Sequence, residues 1–389
     1  MAEIPHNQSN YLEAWRRFAE DSRERQSEFA AEGSFRRSSP ESVFGHDQSV
    51  QYGLRQAGAV IERYGVDLIR YFPQATGVAA SLRYVNGEIR NEACITFFVS
   101  ERLSRRFFGP VPPQIDGVPT DVVEAGTPLL HKATGHVPGL RLRPAEPGMS
   151  LSHLRVSSGT FGCLVEDGNR QYILSCAHVL SDTTASAGDP VLQQAPFYGG
   201  SSPLDDIARF TRAIPLVSGN CIADAAIAEV IDRSDVTEFI RGIGKPVGTR
   251  ALSGVGLLVQ KSGNMTGLTH GVVTGINGTI GPFQVNGVAN VYFTDAILTT
   301  GMSEPGDSGS VLMDHQHRAI GLLFGGLQFG SAYVVSWFSP IDTVLSNLGV
   351  TLVALKELDG AKSEFQKALS ADPNYLPARE ALARMDKAP

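Results

Sequence analysis

The stretch EPGDSGSVL, Glu304 to Leu312, sets one serine between two glycines, with an aspartate before it and an apolar run after it. Gly, Asp and Ser are turn formers, so these residues read first as a loop entering a strand. They read equally as a nucleophile on a tight turn, where glycines let a substrate carbonyl approach backbone N–H groups. The second reading needs two more groups elsewhere. A serine hydroxyl is a poor nucleophile until a base takes its proton, and that base needs an acid to orient it.

Both groups lie upstream. In YILSCAHVL, Tyr172 to Leu180, His178 follows an apolar run and sits among small residues. A histidine so placed at a strand end can point into a cleft. In NCIADAAIAEV, Asn220 to Val230, Asp224 precedes an alternating apolar segment, where a buried carboxylate can hold an imidazole tautomer. Asp205-Asp206, before IARF, is a rival for the acid, but DAAIAEV fits that role better. Each motif alone is ordinary: such a histidine is usually structural, and such an aspartate usually a turn residue. In the order His178, Asp224, Ser308, within one β-rich region, coincidence is a poor explanation.

That region runs from Ser157 to about Phe338, where short Val/Ile/Leu-rich runs alternate with Gly, Asn and Asp turns. The pattern predicts an all-β sandwich or barrel unit. Residues 10–32 read as a charged helix, and EGSFRRSSPES, Glu32 to Ser42, as a linker. A second helix is expected from Gln48 to Tyr64. Two β-prone runs then flank Asn86-Gly87, a strong hairpin signal. ERLSRRFFG reads as a short helix and IDGVPTDVVEAG as a strand, which makes a small α/β domain.

The tail has helical spacing at Ala361, Phe365, Ala368 and Leu369, is broken at Asp372-Pro373, and resumes at Ala378, Leu382 and Ala383. It resembles one tetratricopeptide repeat, with Leu348, Gly349, Ala361, Phe365, Ala368 and Pro373 on that family's pattern of about 34 residues. PIDTVLSNLGVTLV, Pro340 to Val353, fits that repeat or equally a short helix and final strand closing the β unit. The expected domains are therefore 1–47, 48–130, 150–350 and 351–389.

Over 389 residues, 42% hydrophobic and 19% charged, the composition is that of a globular chain with room for a sizeable core. A net charge of −7 argues against nucleic acid or an anionic membrane as partner. The N-terminal stretch lacks an apolar signal region, and four cysteines are too few for a disulfide framework. Free buried thiols and a cytoplasmic location are expected.

SCAHV, DAAIAEV and PGDSGSVL resemble the three catalytic blocks of chymotrypsin-like serine peptidases. SSGTFGCLV, GDPVLQQ, KSGNMTGLTHGVV and IGLLFGG resemble, more narrowly, a bacterial-type intracellular branch related to the plant narrow-leaf type protein. In that branch a small α/β domain precedes the peptidase unit. The implied fold is multidomain α+β: a central all-β double barrel with N-terminal helices, a small α/β domain and a C-terminal helical hairpin. The implied active site lies between the barrels. His178 would be general base, Asp224 its orienter and Ser308 the nucleophile, with the N–H groups of Gly306 and Ser308 as the oxyanion hole. By analogy Phe324, Gly325 and Gly326 form one wall of the substrate pocket and Met302 lies near its floor. With no acid at that position and Leu323 where glutamate-specific relatives carry histidine, an apolar or small residue is expected before the scissile bond; Glu304 reaching the pocket would invert this.

Two departures stand out. In secreted trypsins a freshly cut N-terminus pairs with the aspartate before the serine; here the unit is internal, so Asp307 cannot have that partner without cleavage near residue 155. Either the hole is preformed or the flanking domains switch it on. Cys176 lies on the wrong side of His178 for the family's usual disulfide.

The expected activity is that of an intracellular serine endopeptidase without cofactor or metal, acting on protein or peptide. Its other partners would be a protein activator at the helical tail or a second copy of the chain. The competing functions are a catalytically idle scaffold acting by protein binding, and an esterase or acyltransferase using the same three groups. His315 and His317 in DHQHR would share a face if they lay in a strand. Without further ligands nearby they read as a polar hairpin turn rather than a metal site. GNMTGLTHG lacks the context of a phosphate loop, and its glycines read as shaping strands beside the pocket.

Overall fold

The computed structural model describes residues 48–72, 75–85, 88–99, 111–124, 127–130, 140–168, 170–329 and 332–353, with Ala14, Trp15 and Arg17 before them. The short helix expected at ERLSRRFFG and the helical tail beyond Val353 lie outside the described residues, as does most of the first helix.

The β region forms two sheets. In the second, six strands close on themselves: Val288–Thr300, Ala332–Pro340, Arg318–Phe329, Val311–Asp314, Leu258–Gly263 and Gly267–Val285, the last pairing back to the first. The long hairpin between Gly267–Val285 and Val288–Thr300 carries repeated register shifts. Such bulges bend and twist a strand pair, which is what closing a ring requires. Inside it, Phe293 meets Phe283 and Phe324 at centroid distances of 5.7 and 4.8 Å, and Trp337 lies against Phe283 and Phe324. The expectation of a sandwich or barrel thus resolves, for this half, as a barrel.

The other sheet has eight strands, in the order Thr351–Leu352, Cys163–Asp167, Arg170–Ser175, Ala226–Val230, Asp206–Ala213, Pro190–Leu192, Ser150–His153, Gly159–Thr160. The chain passes directly from Gly159–Thr160, at one end of this order, into Cys163–Asp167 near the other. Phe161 N–H to Met149 O at 2.9 Å and Gly162 N–H to Leu174 O at 3.0 Å extend the pairings on either side.

Pro340 to Val353 joins the halves. A helix, Ile341–Leu348, ends at Gly349, whose φ of 64° suits a residue without Cβ. Thr351 and Leu352 then pair with Glu166 and Val165 of the first sheet. Leu348 and Gly349 therefore close the β unit, the second of the two readings of Pro340 to Val353. The β-branched residues after Gly349 favour a strand over a second helix.

Upstream, Ala75–Val85 and Glu88–Val99 form the expected hairpin, and Val118–Glu124 lies parallel to Glu88–Val99. This sheet does not stop at its own edge: Ala75–Val85 also pairs with Gly267–Val285, so it is continuous with the barrel sheet. A helix, Gln48–Tyr71, covers it through Leu54, Gly58, Ile61, Gly65 and Ile69. The helix runs seven residues past the expected Tyr64 because Gly65 continues it. A Cβ there would lie 2.5 Å from Thr279 Oγ1, so glycine serves close packing rather than termination. Among the described residues, no helix is long and apolar enough to cross a membrane.

Candidate active site

Strand register brings the histidine and the acid together. Arg170–Ser175 and Ala226–Val230 are neighbours, with Ser175 opposite Ala226. His178 comes three residues after Ser175, on a short helix Ala177–Leu180, and Asp224 two before Ala226, so both project from one end of the pair. Asp224 Oδ2 bonds His178 Nδ1, and Asp224 Oδ1 accepts the His178 backbone N–H at 3.2 Å. Asp224 is fully buried and His178 only 2% exposed. Of the rival acids, Asp205 accepts from Arg141 at 2.8 Å and Asp206 faces Arg209 at 2.9 Å.

Ser308 arrives from the barrel sheet, on the turn leading into Val311–Asp314, and is 0% exposed. Its hydroxyl donates to the Phe324 carbonyl at 3.4 Å, while His178 Nε2 is buried without a hydrogen bond. A buried imidazole nitrogen left unpaired costs about 1–3 kcal/mol, and such exceptions concentrate where chemistry is done.

Three residues that motif reading missed hold the serine turn. The Asp307 carboxylate is wholly buried and receives Lys261 Nζ at 3.0 Å, Thr266 Oγ1 at 2.7 Å, and the N–H groups of Met265 and Glu304 at 2.8 and 3.0 Å. Burial alone would raise this carboxyl; the Lys261 charge and these hydrogen bonds more than offset it, leaving it below its ordinary value. Lys261 is itself 0% exposed, and burial pulls its ammonium down against the pull of Asp307. A buried internal lysine thus supplies the charge paired with Asp307. Thr160, from the first sheet, donates its hydroxyl to Gly306 O at 2.9 Å and its N–H to Ser308 O at 2.8 Å. Asp307 O accepts the Ser310 N–H at 3.0 Å, which fixes the peptide carrying the Ser308 N–H. Lys261, Thr266 and Thr160 do lie inside KSGNMTGLTHGVV and SSGTFGCLV, but nothing local marks them.

The pocket residues divide. Phe324 turns its ring into the aromatic core and offers the site only its carbonyl. Gly325 and Gly326 follow it along the strand. Met302 is buried, its N–H donating to Ser336 Oγ at 3.1 Å, and Glu304 is exposed. His315 and His317 lie on the turn between Val311–Asp314 and Arg318–Phe329, where Asp314 Oδ1 accepts the N–H groups of Gln316 and Arg318 at 2.9 Å. The GNMTGLTHG glycines flank the turn that grips Asp307.

The four cysteines are free and buried. Cys176 Sγ, the His178 imidazole and the Asp224 carboxylate lie within 4.8 Å of one another, a grouping that could ligate a metal. Their hydrogen bonding points elsewhere. Cys176 donates to Leu323 O at 2.9 Å, and burial holds its thiol well above the ordinary value, in the protonated form. The set of serine, carboxylate-held imidazole and flanking N–H groups is suited to acyl transfer.

No family model matches the chain. Over 99 residues, 25% of this chain and 31% of the relative, the sequence is 37% identical to streptogrisin-A of Streptomyces griseus, so the match spans under a third of that relative's length. Among solved structures, Thermobifida fusca protease A is 22% identical with a TM-score of 0.41, covering 54% of this chain and 97% of its own. A glutamic acid specific serine protease that uses a histidine triad in substrate binding is 23% identical with a TM-score of 0.42, covering 54% of this chain and all of its own.

Proposed function

We propose that this chain is a serine endopeptidase in which Ser308 is the nucleophile, His178 the general base and Asp224 its orienter. The single observation that carries the reading is the buried His178–Asp224 pair, whose outer nitrogen is left without a hydrogen bond. In the reaction, His178 Nε2 takes the Ser308 proton as Oγ bonds the substrate carbonyl carbon. The Gly306 and Ser308 N–H groups receive the developing oxyanion. Collapse breaks the C–N bond, the proton passes from His178 to the leaving amine, and water activated by His178 then releases the acyl group. Asp224 keeps the proton on Nδ1, so Nε2 remains the basic nitrogen.

In this reading Lys261 makes the oxyanion hole a built-in feature, so no new N-terminus is needed to form it. Substrates are proteins or peptides, and the proposed setting is the cytoplasm, where four free buried thiols stay reduced. The test is intact-mass analysis after fluorophosphonate treatment of the full chain and of Ser308→Ala. One adduct on the wild type and none on the variant is expected; an adduct that persists in Ser308→Ala overturns the assignment.

A further inference from the structure

The strand that passes the serine, Arg318–Phe329, has two sides. One is paired with Ala332–Pro340 from Gly321 to Phe329. The other is paired with Val311–Asp314 only at Ala319–Leu322. That partner gives way to the serine turn, where Gly309 N–H reaches Leu323 O at 2.8 Å and the Ser308 hydroxyl reaches Phe324 O. Beyond Phe324 the edge from Gly325 to Gln328 would be open. A polypeptide bringing a carbonyl to Ser308 in extended form has this edge beside it, and two glycines leave room for its side chains.

The edge is taken. Thr127–Leu130 pairs with it antiparallel, Leu130 opposite Gly325, Leu129 opposite Gly326, Pro128 opposite Leu327 and Thr127 opposite Gln328. Pro128 has no N–H, so the ladder bonds fall at Leu129 with Gly326 and at Thr127 with Gln328. Gly325, Gly326 and Leu327 are buried, and Ser308 and His178 are 0% and 2% exposed, values that leave a polypeptide no access.

Resting on the peptidase reading, we infer that Thr127–Leu130 is the chain's own tenant of the substrate edge. The ligand class of this edge is an extended polypeptide entering antiparallel to Gly325–Gln328, and the tenant must leave before it binds. The N-terminal unit thereby regulates the site by competition for backbone hydrogen bonds.

Leu129→Pro removes the ladder N–H and tests this, with Leu129→Ala, which keeps the backbone bond, as control. Fluorescein-casein hydrolysis by the full-length chain should show KM falling at least about tenfold in Leu129→Pro with kcat unchanged, because an open state populated at about 10% or less weakens apparent binding by that factor. Leu129→Ala should stay near wild type. Unchanged casein kinetics in a folded, fluorophosphonate-reactive Leu129→Pro overturns the proposal, as does labelling without casein hydrolysis by either chain. Failure of both chains to label removes the peptidase reading itself, and this proposal with it. Should Leu129→Pro not fold, amide exchange in full-length Ser308→Ala with saturating casein decides. Protection lost at Thr127 and Leu129 but kept at Gly326 and Gln328 supports displacement; unchanged protection at Thr127 and Leu129 overturns it.

Discussion

The two halves of the candidate site are held by different physics. On the first sheet, His178 and Asp224 are set by neighbouring strands in register and one short helix, so a few local residues specify them. On the barrel sheet, the Ser308 turn is held from afar, by a buried charge from Lys261 and by Thr160 reaching across from the other sheet. Registered strands place these two groups through backbone pairing, before any charge is considered. A buried ion pair gives geometry only while both partners are present, since either alone is a stranded charge.

The largest effect should come from removing the base. If the three groups act as a unit, His178→Ala should lower kcat on the order of 10⁶-fold, with the fold intact by circular dichroism. Loss of only a few-fold would dissolve the distinction between site and scaffold.

The barrel side should fail differently, through stability and activity together. Lys261→Met leaves Asp307 buried and unpaired, a loss of about 3–5 kcal/mol measurable by urea unfolding. The pH dependence carries the sign. Asp307 lies below its ordinary value of 3.8, so its contribution is fully present above that value and fades as pH falls through the lower, folded value. Asp307→Asn should therefore show a shallower loss of stability between about pH 5 and 1 than wild type. Equal slopes would mean that the ion pair carries none of the acid response.

The smallest effect concerns the helix. By propensity alone Gly65→Ala should gain about 1 kcal/mol. Against Thr279 it should instead lose about 1 kcal/mol or more, because overpacking a tight contact costs about 1–3 kcal/mol. A rise in Tm would show that the helix sits more loosely than its contacts indicate.

This contrast also explains what could be read from the chain beforehand. Ser308, His178 and Asp224 announce themselves because each sits in a short motif whose neighbours serve the same local turn or strand. Lys261 does not: a lysine in a strand ordinarily faces water, and its partner Asp307 is 46 residues away. Phe324 misleads for the opposite reason, since its place in the strand marks the site while its ring belongs to the core. Strand runs such as Ala75–Val85 and Glu88–Val99 are legible because their partner is adjacent. The pairing of Thr127–Leu130 with Gly325–Gln328 spans nearly the whole β unit and leaves no periodic trace.

One further pairing bears on how the molecule is made. Ala75–Val85 is sandwiched between Glu88–Val99 and Gly267–Val285, and Ser81 Oγ bonds Thr274 O across 193 residues of sequence. A ribosome delivers the first hairpin long before its second neighbour. At usual synthesis rates the outer side of Ala75–Val85 waits roughly 10–40 s with its N–H and C=O groups unmatched. A bare strand edge invites pairing with the wrong chain. The nascent protein therefore needs that edge shielded during translation, and crowded polysomes are where its yield would be decided.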